Sequence, residues 1–228
     1  MPASLSTLME EGRRAVLRPL AQASTLPPGF YTSPEIFEAE RERVFRRNWV
    51  SVGRASEIPQ PGDRFRIDVA GEPLMIVRGK DARIRALSAV CRHRWMLLGE
   101  GAESAGTIAC PYHKWTYALD GALMAAPLMD KAEGFERDAG ALASLAGEVW
   151  NGFIFVNLGG DAEPLAQALA PLAAEFAPWK MDELEIAGRV EFDQPYNWKV
   201  LADNFMEAYH HFAIHPETFE PNYPAAIS

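Results

Sequence analysis

The sequence has little cysteine and no long apolar run. Only two cysteines, Cys91 and Cys110, occur among the 228 residues, and both lie beside histidines at short spacing. In a reducing compartment this arrangement favours metal or redox chemistry over a disulfide. The N-terminus has Glu10 and Glu11 within its first amphipathic stretch, so it predicts neither a signal peptide nor a membrane span. We therefore expect a cytoplasmic protein.

Basic residues are also scarce. The 22 lysines and arginines are outnumbered by 31 aspartates and glutamates, which gives a formal charge of −9. Such a chain repels phosphate backbones and offers no broad basic face, so nucleic acid is not expected as a partner. Hydrophobic residues make up 48% of the chain, which is enough to bury a full core and argues against a disordered protein.

The pattern along the chain predicts an α+β fold that begins with a helical segment, residues 1–47. One helix is predicted over residues 4–18. A second is predicted over residues 34–47, because Ser33 is a suitable N-cap and Pro34 suits the first helical position.

A small antiparallel β domain, flanked by helices, is predicted at residues 48–160. Short β-favouring runs are separated there by glycine, proline and aspartate turns. From residue 161 onward the pattern changes again. It predicts a helix over residues 165–179, a β run over residues 188–198 and a helix over residues 198–212.

Four potential metal ligands fall into one two-part pattern. The stretch CRHR (91–94) has Cys-x-His spacing, and the stretch CPYHKW (110–115) has Cys-x-x-His spacing. Two thiolates and two imidazoles bind tetrahedral zinc, or divide between the two irons of a [2Fe-2S] cluster with both cysteines on one iron. The identity of the four ligands does not decide between zinc and the [2Fe-2S] cluster. Each half follows a predicted strand, which favours a group held between two loops over a zinc-finger unit.

These two stretches resemble the Rieske domain of ring-hydroxylating oxygenase α subunits, and the resemblance includes Tyr112, Trp115 and the turn YALDG (117–121). It implies that the β domain binds a [2Fe-2S] cluster, with two cysteines on the inner iron and two histidines on the outer iron. The implied ligands are Cys91, His93, Cys110 and His113.

Two residues depart from the family pattern. Trp95 stands where a small residue is common, and Lys114 stands where glycine is frequent. Cluster potential follows the net charge nearby, so we hypothesise that Lys114 raises it slightly.

Three of the five histidines occur in the string NFMEAYHHFAIHP, residues 204–216. Helical spacing would pair His211 with His215, because residues i and i+4 share one helical face, as in zinc proteases. Pro216 argues against that pair. A proline disfavours the α conformation at the residue before it, so the helix is expected to end near Ile214. Helical spacing therefore does not choose the ligands.

The same string resembles the catalytic helix of these oxygenases, in which an acid precedes Tyr-His, four residues follow, and His-Pro comes next. The resemblance implies a mononuclear non-heme Fe(II) bound by His210 and His215, with His211 as a packing or hydrogen-bonding neighbour. A carboxylate completes such a site and leaves positions open for O₂ and substrate.

The resemblance also assigns roles to three polar residues, which are the catalytic candidates. Glu207 lies one helical turn before His210, so its carboxylate can reach the other nitrogen of that histidine. In the family an acid at the position of Glu207 joins the mononuclear iron of one subunit to a Rieske histidine of the next. Glutamate at this position recurs in relatives that oxidise quaternary ammonium compounds. Asn204 matches an asparagine near the iron, and Asp203 matches the acid before it.

The resemblance places the third iron ligand, a carboxylate, farther along the chain than Ser228. Glu217 and Glu220 are the only acids after His215, and neither matches the family ligand. The apolar side of the last predicted helix also lacks the sheet on which it would pack: Val200, Leu201, Phe205, Ala208 and Phe212. We therefore expect the N-terminal portion of a longer protein, with residues 161–228 beginning an incomplete catalytic domain.

The leading interpretation is a Rieske oxygenase α subunit. A ferredoxin or flavin reductase would pass electrons from NAD(P)H to the cluster and on to the mononuclear iron. O₂ would then hydroxylate an aromatic ring or oxidise an N-methyl group of a quaternary ammonium compound. The full-length protein would form a homotrimer. Two alternatives stay open: an electron-transfer protein with only the cluster loaded, and a structural zinc protein.

Overall fold

A computed structural model describes residues 4–100 and 102–227. Its contacts divide the chain into two compact units. One unit combines the segment up to Glu40 with the segment from Arg189 onward, and the other is Arg41–Gly188. The domain boundaries expected from the sequence stay predictions.

The unit Arg41–Gly188 contains the β-strands. They are β1 (Val50–Arg54), β2 (Asp63–Val69), β3 (Glu72–Arg78), β4 (Ile84–Ser88), β5 (Ala102–Ser104), β6 (Ile108–Ala109), β7 (Thr116–Tyr117), β8 (Leu123–Ala125), β9 (Ser144–Trp150) and β10 (Phe153–Asn157). A seven-stranded antiparallel sheet has the order β1-β10-β9-β4-β3-β2-β5, and a three-stranded antiparallel sheet has the order β6-β7-β8. The predicted antiparallel β domain is confirmed.

Strand β3 contributes to two hydrophobic cores. Met75 and Val77 belong to the core that also contains both cysteines, whereas Leu74 and Ile76 belong to the second core. Successive side chains of a strand point to opposite faces, so burial on both faces explains the unbroken apolar run LMIV. Each such side chain contributes about 1.5–3 kcal/mol when fully buried. The cysteines are thus held in a packed core.

The helices lie on both sides of the β-strands in the chain. They are α1 (Leu5–Val16), α2 (Gly29–Thr32), α3 (Pro34–Glu40), α4 (Leu165–Ala168), α5 (Ala170–Phe176), α6 (Trp198–Phe205) and α7 (His211–Ile214). A π-helical turn, Arg41–Phe45, follows α3. The hydroxyl of Ser33 accepts the Ile36 N–H at 3.3 Å, so the predicted cap of α3 is confirmed. Within the described ranges, no helix has the length and apolar character needed to cross a membrane.

Two helices predicted as continuous are interrupted. The helix expected over residues 165–179 divides into α4 and α5, where Pro171 lacks the N–H that a continuous helix would use. The helix expected over residues 198–212 stops at Phe205. The reason is local, because the Glu207 carboxylate accepts the His210 N–H at 3.2 Å and so replaces a helical backbone bond.

The strand predicted over residues 188–198 is wrong. Residues 188–197 have no regular secondary structure, and Val190 and Phe192 are exposed. A β-strand needs a neighbour for its backbone hydrogen bonds, and no strand in the described part of the chain pairs with this segment. The alternation of apolar residues in this segment was therefore insufficient to predict a strand.

Candidate metal centres

The first candidate loop follows β4 and carries Cys91 and His93. The Cys91 carbonyl accepts the Trp95 N–H at 3.0 Å, and the Cys91 N–H donates to the Met96 carbonyl at 2.9 Å. These two bonds close the loop around the cysteine. Only 1% of the Cys91 surface is exposed, whereas His93 is partly exposed.

The second loop follows β6 and repeats this construction. The Cys110 carbonyl accepts the Lys114 N–H at 3.0 Å, and the Cys110 N–H donates to the Trp115 carbonyl at 2.8 Å. Cys110 is also 1% exposed, and His113 is partly exposed. The two loops therefore present one buried cysteine and one outer histidine each, by the same backbone hydrogen bonds.

The two residues that depart from the family pattern occupy equivalent places in these loops. Trp95 has φ 54° and Lys114 has φ 58°, both in the left-handed region. Glycine adopts this conformation without steric cost, whereas other residues lose about 1–2 kcal/mol there. The preference for a small residue at these positions thus has a backbone cause.

Lys114→Gly should raise the free energy of unfolding by roughly 0.5–1 kcal/mol, since relief of left-handed strain exceeds the entropic cost of glycine. Urea denaturation of both proteins measures the difference. Lys80→Gly is the control, because Lys80 is an exposed lysine without a left-handed φ among the described residues. A gain of equal size in Lys80→Gly would contradict the strain argument.

The aromatic rings of the two loops pack together. The His93 and His113 ring centroids lie 4.8 Å apart, and the Trp115 ring stacks on His93 at 4.8 Å with an interplanar angle of 8°. Burial lowers the pKa of His93, and the nearby His113 and Arg94 charges lower it further. A neutral imidazole is the form that binds metals.

A tyrosine hydroxyl also reaches the first cysteine. The Tyr117 Oη lies 3.1 Å from the Cys91 Sγ and accepts the Arg92 N–H at 3.1 Å. Tyr117 is fully buried, and burial together with the Cys91 contact raises the pKa of its hydroxyl. Sequence reasoning noted Tyr117 only as the first residue of the YALDG turn and missed this contact.

The exposed charged residues within the two loops are basic, although the chain as a whole is acidic. Arg92, Arg94 and Lys114 are exposed, and residues 90–99 and 110–119 contain no aspartate or glutamate. Trp95 is 82% exposed and Tyr112 is 57% exposed at the same surface. The loops therefore combine positive charge with exposed aromatic rings.

The donor set of the loops suits a [2Fe-2S] cluster. Both cysteines are buried, whereas both histidines lie nearer the surface. A tetrahedral zinc site takes four ligands around one ion, whereas a Rieske-type cluster takes two protein ligands on each iron. The requirement of the cluster is met by two cysteines and two histidines.

The second candidate site lies in the other unit, in a cavity of about 420 Å³. The ring centroids of His210 and His215 are 5.5 Å apart. His211 also lines this cavity, and its Nδ1 is 2.8 Å from the Tyr223 carbonyl, to which it donates. Asn204, Glu207 and Tyr223 also line this cavity.

Glu207 holds His210 in place. Its carboxylate lies 2.5 Å from the His210 Nδ1 and also accepts the His210 backbone N–H. The hydrogen bond from His210 lowers the pKa of the Glu207 carboxyl, which burial opposes only in part. With Nδ1 engaged, the Nε2 of His210 is the nitrogen left to bind a metal. The predicted contact exists, but through a turn after α6 and not along a helix.

Two family models match the chain. The Rieske [2Fe-2S] domain matches residues 48–143, and the catalytic domain of the ring-hydroxylating α subunit matches residues 181–227. The carnitine monooxygenase oxygenase subunit of Acinetobacter baumannii is 39% identical over 197 residues, which cover 85% of this chain and 53% of that protein. The chain belongs to the Rieske oxygenase α subunits.

Solved structures of Rieske oxygenases have the same fold. The quaternary ammonium Rieske monooxygenase CntA in complex with L-carnitine matches with a TM-score of 0.81 and 38% identity, over 85% of this chain and 56% of that one. Naphthalene 1,2-dioxygenase from a Rhodococcus species matches with a TM-score of 0.79 and 28% identity, over 94% of this chain and 50% of that one. The α+β fold class is confirmed.

The glycine betaine monooxygenase oxygenase subunit of Chromohalobacter salexigens is 36% identical over 194 residues, covering 85% of this chain and 43% of that protein. The chain spans about half the length of the curated relatives it matches, at their N-terminal portion. Rieske oxygenases carry a [2Fe-2S] cluster and a mononuclear iron, so the match decides against the structural zinc alternative.

Asp203 of this Rieske oxygenase chain is not brought together with the other catalytic candidates. Its carboxylate accepts the Tyr31 hydroxyl at 2.7 Å, and it lines a separate cavity with Val200 and Leu26. Asn204 and Glu207 instead line the cavity of the paired histidines. The contact with Tyr31 had no signal in the sequence, because 172 positions separate the two residues.

Proposed function

We propose that this chain provides the Rieske domain and two ligands of the mononuclear iron in an oxygenase that acts on a quaternary ammonium compound. The observation that carries the proposal is the pair of matched loops, each presenting a buried cysteine and an outer histidine. The contact between Glu207 and His210 supports the second metal centre.

The cluster ligands in this proposal are divided by depth. The two cysteines, each 1% exposed, hold the inner iron. His93 and His113 are partly exposed, and they hold the outer iron at the protein surface. Electrons can then enter or leave through the histidine side, where no packed core intervenes. The four ligands are Cys91, Cys110, His93 and His113.

The mononuclear Fe(II) ligands in this proposal are His210 and His215. When bound, the iron supplies the activation of O₂. Glu207 fixes the protonated Nδ1 of His210 and so orients its Nε2 toward the cavity. Asn204 lines the same cavity as a polar neighbour. A third ligand, a carboxylate, would complete such a site.

We propose that electrons pass between subunits, from the Rieske histidines of one copy to Glu207 and the iron site of the next. The structure of CntA is described as revealing inter-subunit electron transfer in that protein. Charge supports the pairing, because the cluster loops are basic and residues 189–228 contain six acids against two bases. The full-length protein would be a cytoplasmic homotrimer that receives electrons from a ferredoxin or flavin reductase.

The proposed substrate class rests on the relatives and on Glu207. The similar oxygenase subunits are named for carnitine and glycine betaine. The test is O₂ consumption by the protein expressed from its own gene, supplied with a reductase and NADH. Uptake is expected with carnitine, γ-butyrobetaine or glycine betaine and not with naphthalene. Uptake with naphthalene alone would move the proposal to aromatic substrates.

The main alternative is an electron carrier that binds only the cluster. The ratio of iron to acid-labile sulfide in the 228-residue chain separates the two, after anaerobic reconstitution. We expect a ratio of about 1.5, because the cluster contains two irons and two sulfides and His210 and His215 add one iron. A ratio of about 1.0 in this chain, with reversible reduction and no O₂ uptake, would favour the electron carrier.

A further inference from the structure

We infer that His211 is a positioning residue for the second metal centre, because its hydrogen bond to the Tyr223 carbonyl holds the Phe219 ring against His215. The inference rests on the proposed function, in which His210 and His215 bind the metal. It adds a residue that binds no metal itself and acts through one of these two ligands.

The two proposed ligands are held in different ways. The Nδ1 of His210 lies 2.5 Å from the Glu207 carboxylate, which fixes that ring. Among the described residues, the ring nitrogens of His215 have no hydrogen-bond partner. The His215 ring instead contacts other aromatic rings, and Phe219 is the nearest, at 5.0 Å between centroids with an interplanar angle of 82°. The orientation of His215 therefore depends on what holds Phe219.

Phe219 belongs to a closed chain of contacts. Its N–H donates to the His215 carbonyl at 3.2 Å, and its own carbonyl accepts the Tyr223 N–H at 2.8 Å. The Tyr223 carbonyl accepts the Nδ1–H of His211 at 2.8 Å. Phe219 is 49% exposed, so burial alone does not fix its ring. The bond from His211 closes the chain of contacts that returns to His215.

His211 makes two separable contributions to this arrangement. Its ring stacks on Phe219, with centroids 5.4 Å apart and an interplanar angle of 30°. Its Nδ1 is a donor, because a carbonyl only accepts. A hydrogen bond fixes both distance and direction, whereas stacked rings tolerate offsets. Without the donor, Phe219 can move away and the His215 ring gains rotational freedom, which metal binding must then remove.

Two variants of His211 separate the donor from the ring. His211→Phe keeps a ring that stacks on Phe219 but removes the donor. His211→Asn removes the ring but places an amide N–H close to the position of Nδ1. Titration of the cluster-reconstituted chain with Co(II), followed by difference absorption, measures the affinity of the second centre.

His211→Phe should weaken Co(II) binding about tenfold, at the lower end of the range for outer partners of ligand histidines, since it acts indirectly. His211→Asn should retain most of the affinity. An unchanged affinity in His211→Phe would overturn the inference. Equal losses in both variants would also overturn it, because they would show that the imidazole itself is required, as a ligand or as a stacking partner.

Phe219→Leu tests the next contact and covers loss of folding in the His211 variants. It should weaken Co(II) binding about as much as His211→Phe, and the double variant should lose no more than either single one, because both act through the same contact. Phe212→Leu is the matched control, since Phe212 is an exposed phenylalanine of α7 that does not line the cavity. Additive losses, or an equal loss in Phe212→Leu, would overturn the inference.

Failure of the proposed function gives a different result. If the unmodified chain bound no Co(II) beside its cluster, the proposed second metal centre would be overturned, and the inference with it. If the unmodified chain bound Co(II) and the variants of His211 and Phe219 bound it equally well, only the inference would fail.

Discussion

Lys199→Met should lower the free energy of unfolding by about 3–5 kcal/mol, because it leaves the buried carboxylate of Glu40 without its partner. The Lys199 Nζ lies 2.6 Å from the Glu40 Oε1, and their side chains are only 10% and 12% exposed. The same ammonium donates to the Asn197 Oδ1 at 2.7 Å. This ion pair joins α3 to α6, the helix that carries Asn204.

The surroundings of the pair increase the loss. The Lys199 ammonium lies 5.7 Å from the Tyr31 ring centroid and 5.4 Å from that of Trp198. The Trp198 Nε1 also donates to the second oxygen of Glu40 at 3.0 Å. A methionine of similar length fills the space but satisfies none of these groups. Urea denaturation followed by tryptophan fluorescence measures the change.

Two controls test the cause of that loss. Lys180→Met removes an exposed pair with Glu183, whose side chains are 68% and 65% exposed, and should cost about 0–1 kcal/mol. Adding Glu40→Gln to Lys199→Met removes the uncompensated charge, so the double variant should regain part of the stability. Equal losses in Lys199→Met and Lys180→Met would show that the buried pair has no special role.

Glu207→Ala should weaken metal binding at the paired histidines by about 10–100-fold, because outer hydrogen-bond partners of ligand histidines typically contribute that much. Without Glu207, the His210 ring loses the acceptor that fixes its Nδ1 proton and its orientation. The cluster spectrum should not change, since the cluster ligands belong to the other unit. Titration with Co(II), followed by absorption, measures the affinity.

Glu217→Ala is the control for this prediction. Glu217 is an exposed acid near His215 in sequence, and it does not line the cavity of the histidines. Its removal should leave Co(II) affinity unchanged. An equal loss in both variants would mean that general negative charge, and not the contact with His210, controls metal binding.

Much of the cluster site could be predicted from the sequence because its determinants are local. Each cysteine and histidine pair lies within four residues, in a loop closed by backbone bonds to the residues that follow. The sequence also showed that Trp95 and Lys114 depart from the family pattern. It did not show that both residues have a left-handed φ, because that angle is a property of the folded backbone.

The catalytic segment was predicted less completely. Glu207 and His210 are only three positions apart in the sequence, so this spacing predicted their contact correctly. The predicted helix around this contact was wrong, because helical periodicity extended α6 past Phe205. There the Glu207 carboxylate replaces a backbone carbonyl as the acceptor of the His210 N–H. Helix propensity does not predict when a side-chain carboxylate competes with a backbone carbonyl for an N–H.

The sequence by itself determined the ligand residue types, their spacing, the alternation of helical and β segments, and membership of the oxygenase family. Only the tertiary structure decided which distant groups meet: Tyr117 with Cys91, Lys199 with Glu40, and Asp203 with Tyr31. The physical reason is separation along the chain. These partners are 26, 159 and 172 positions apart, and such contacts arise from how whole elements pack and not from any local pattern.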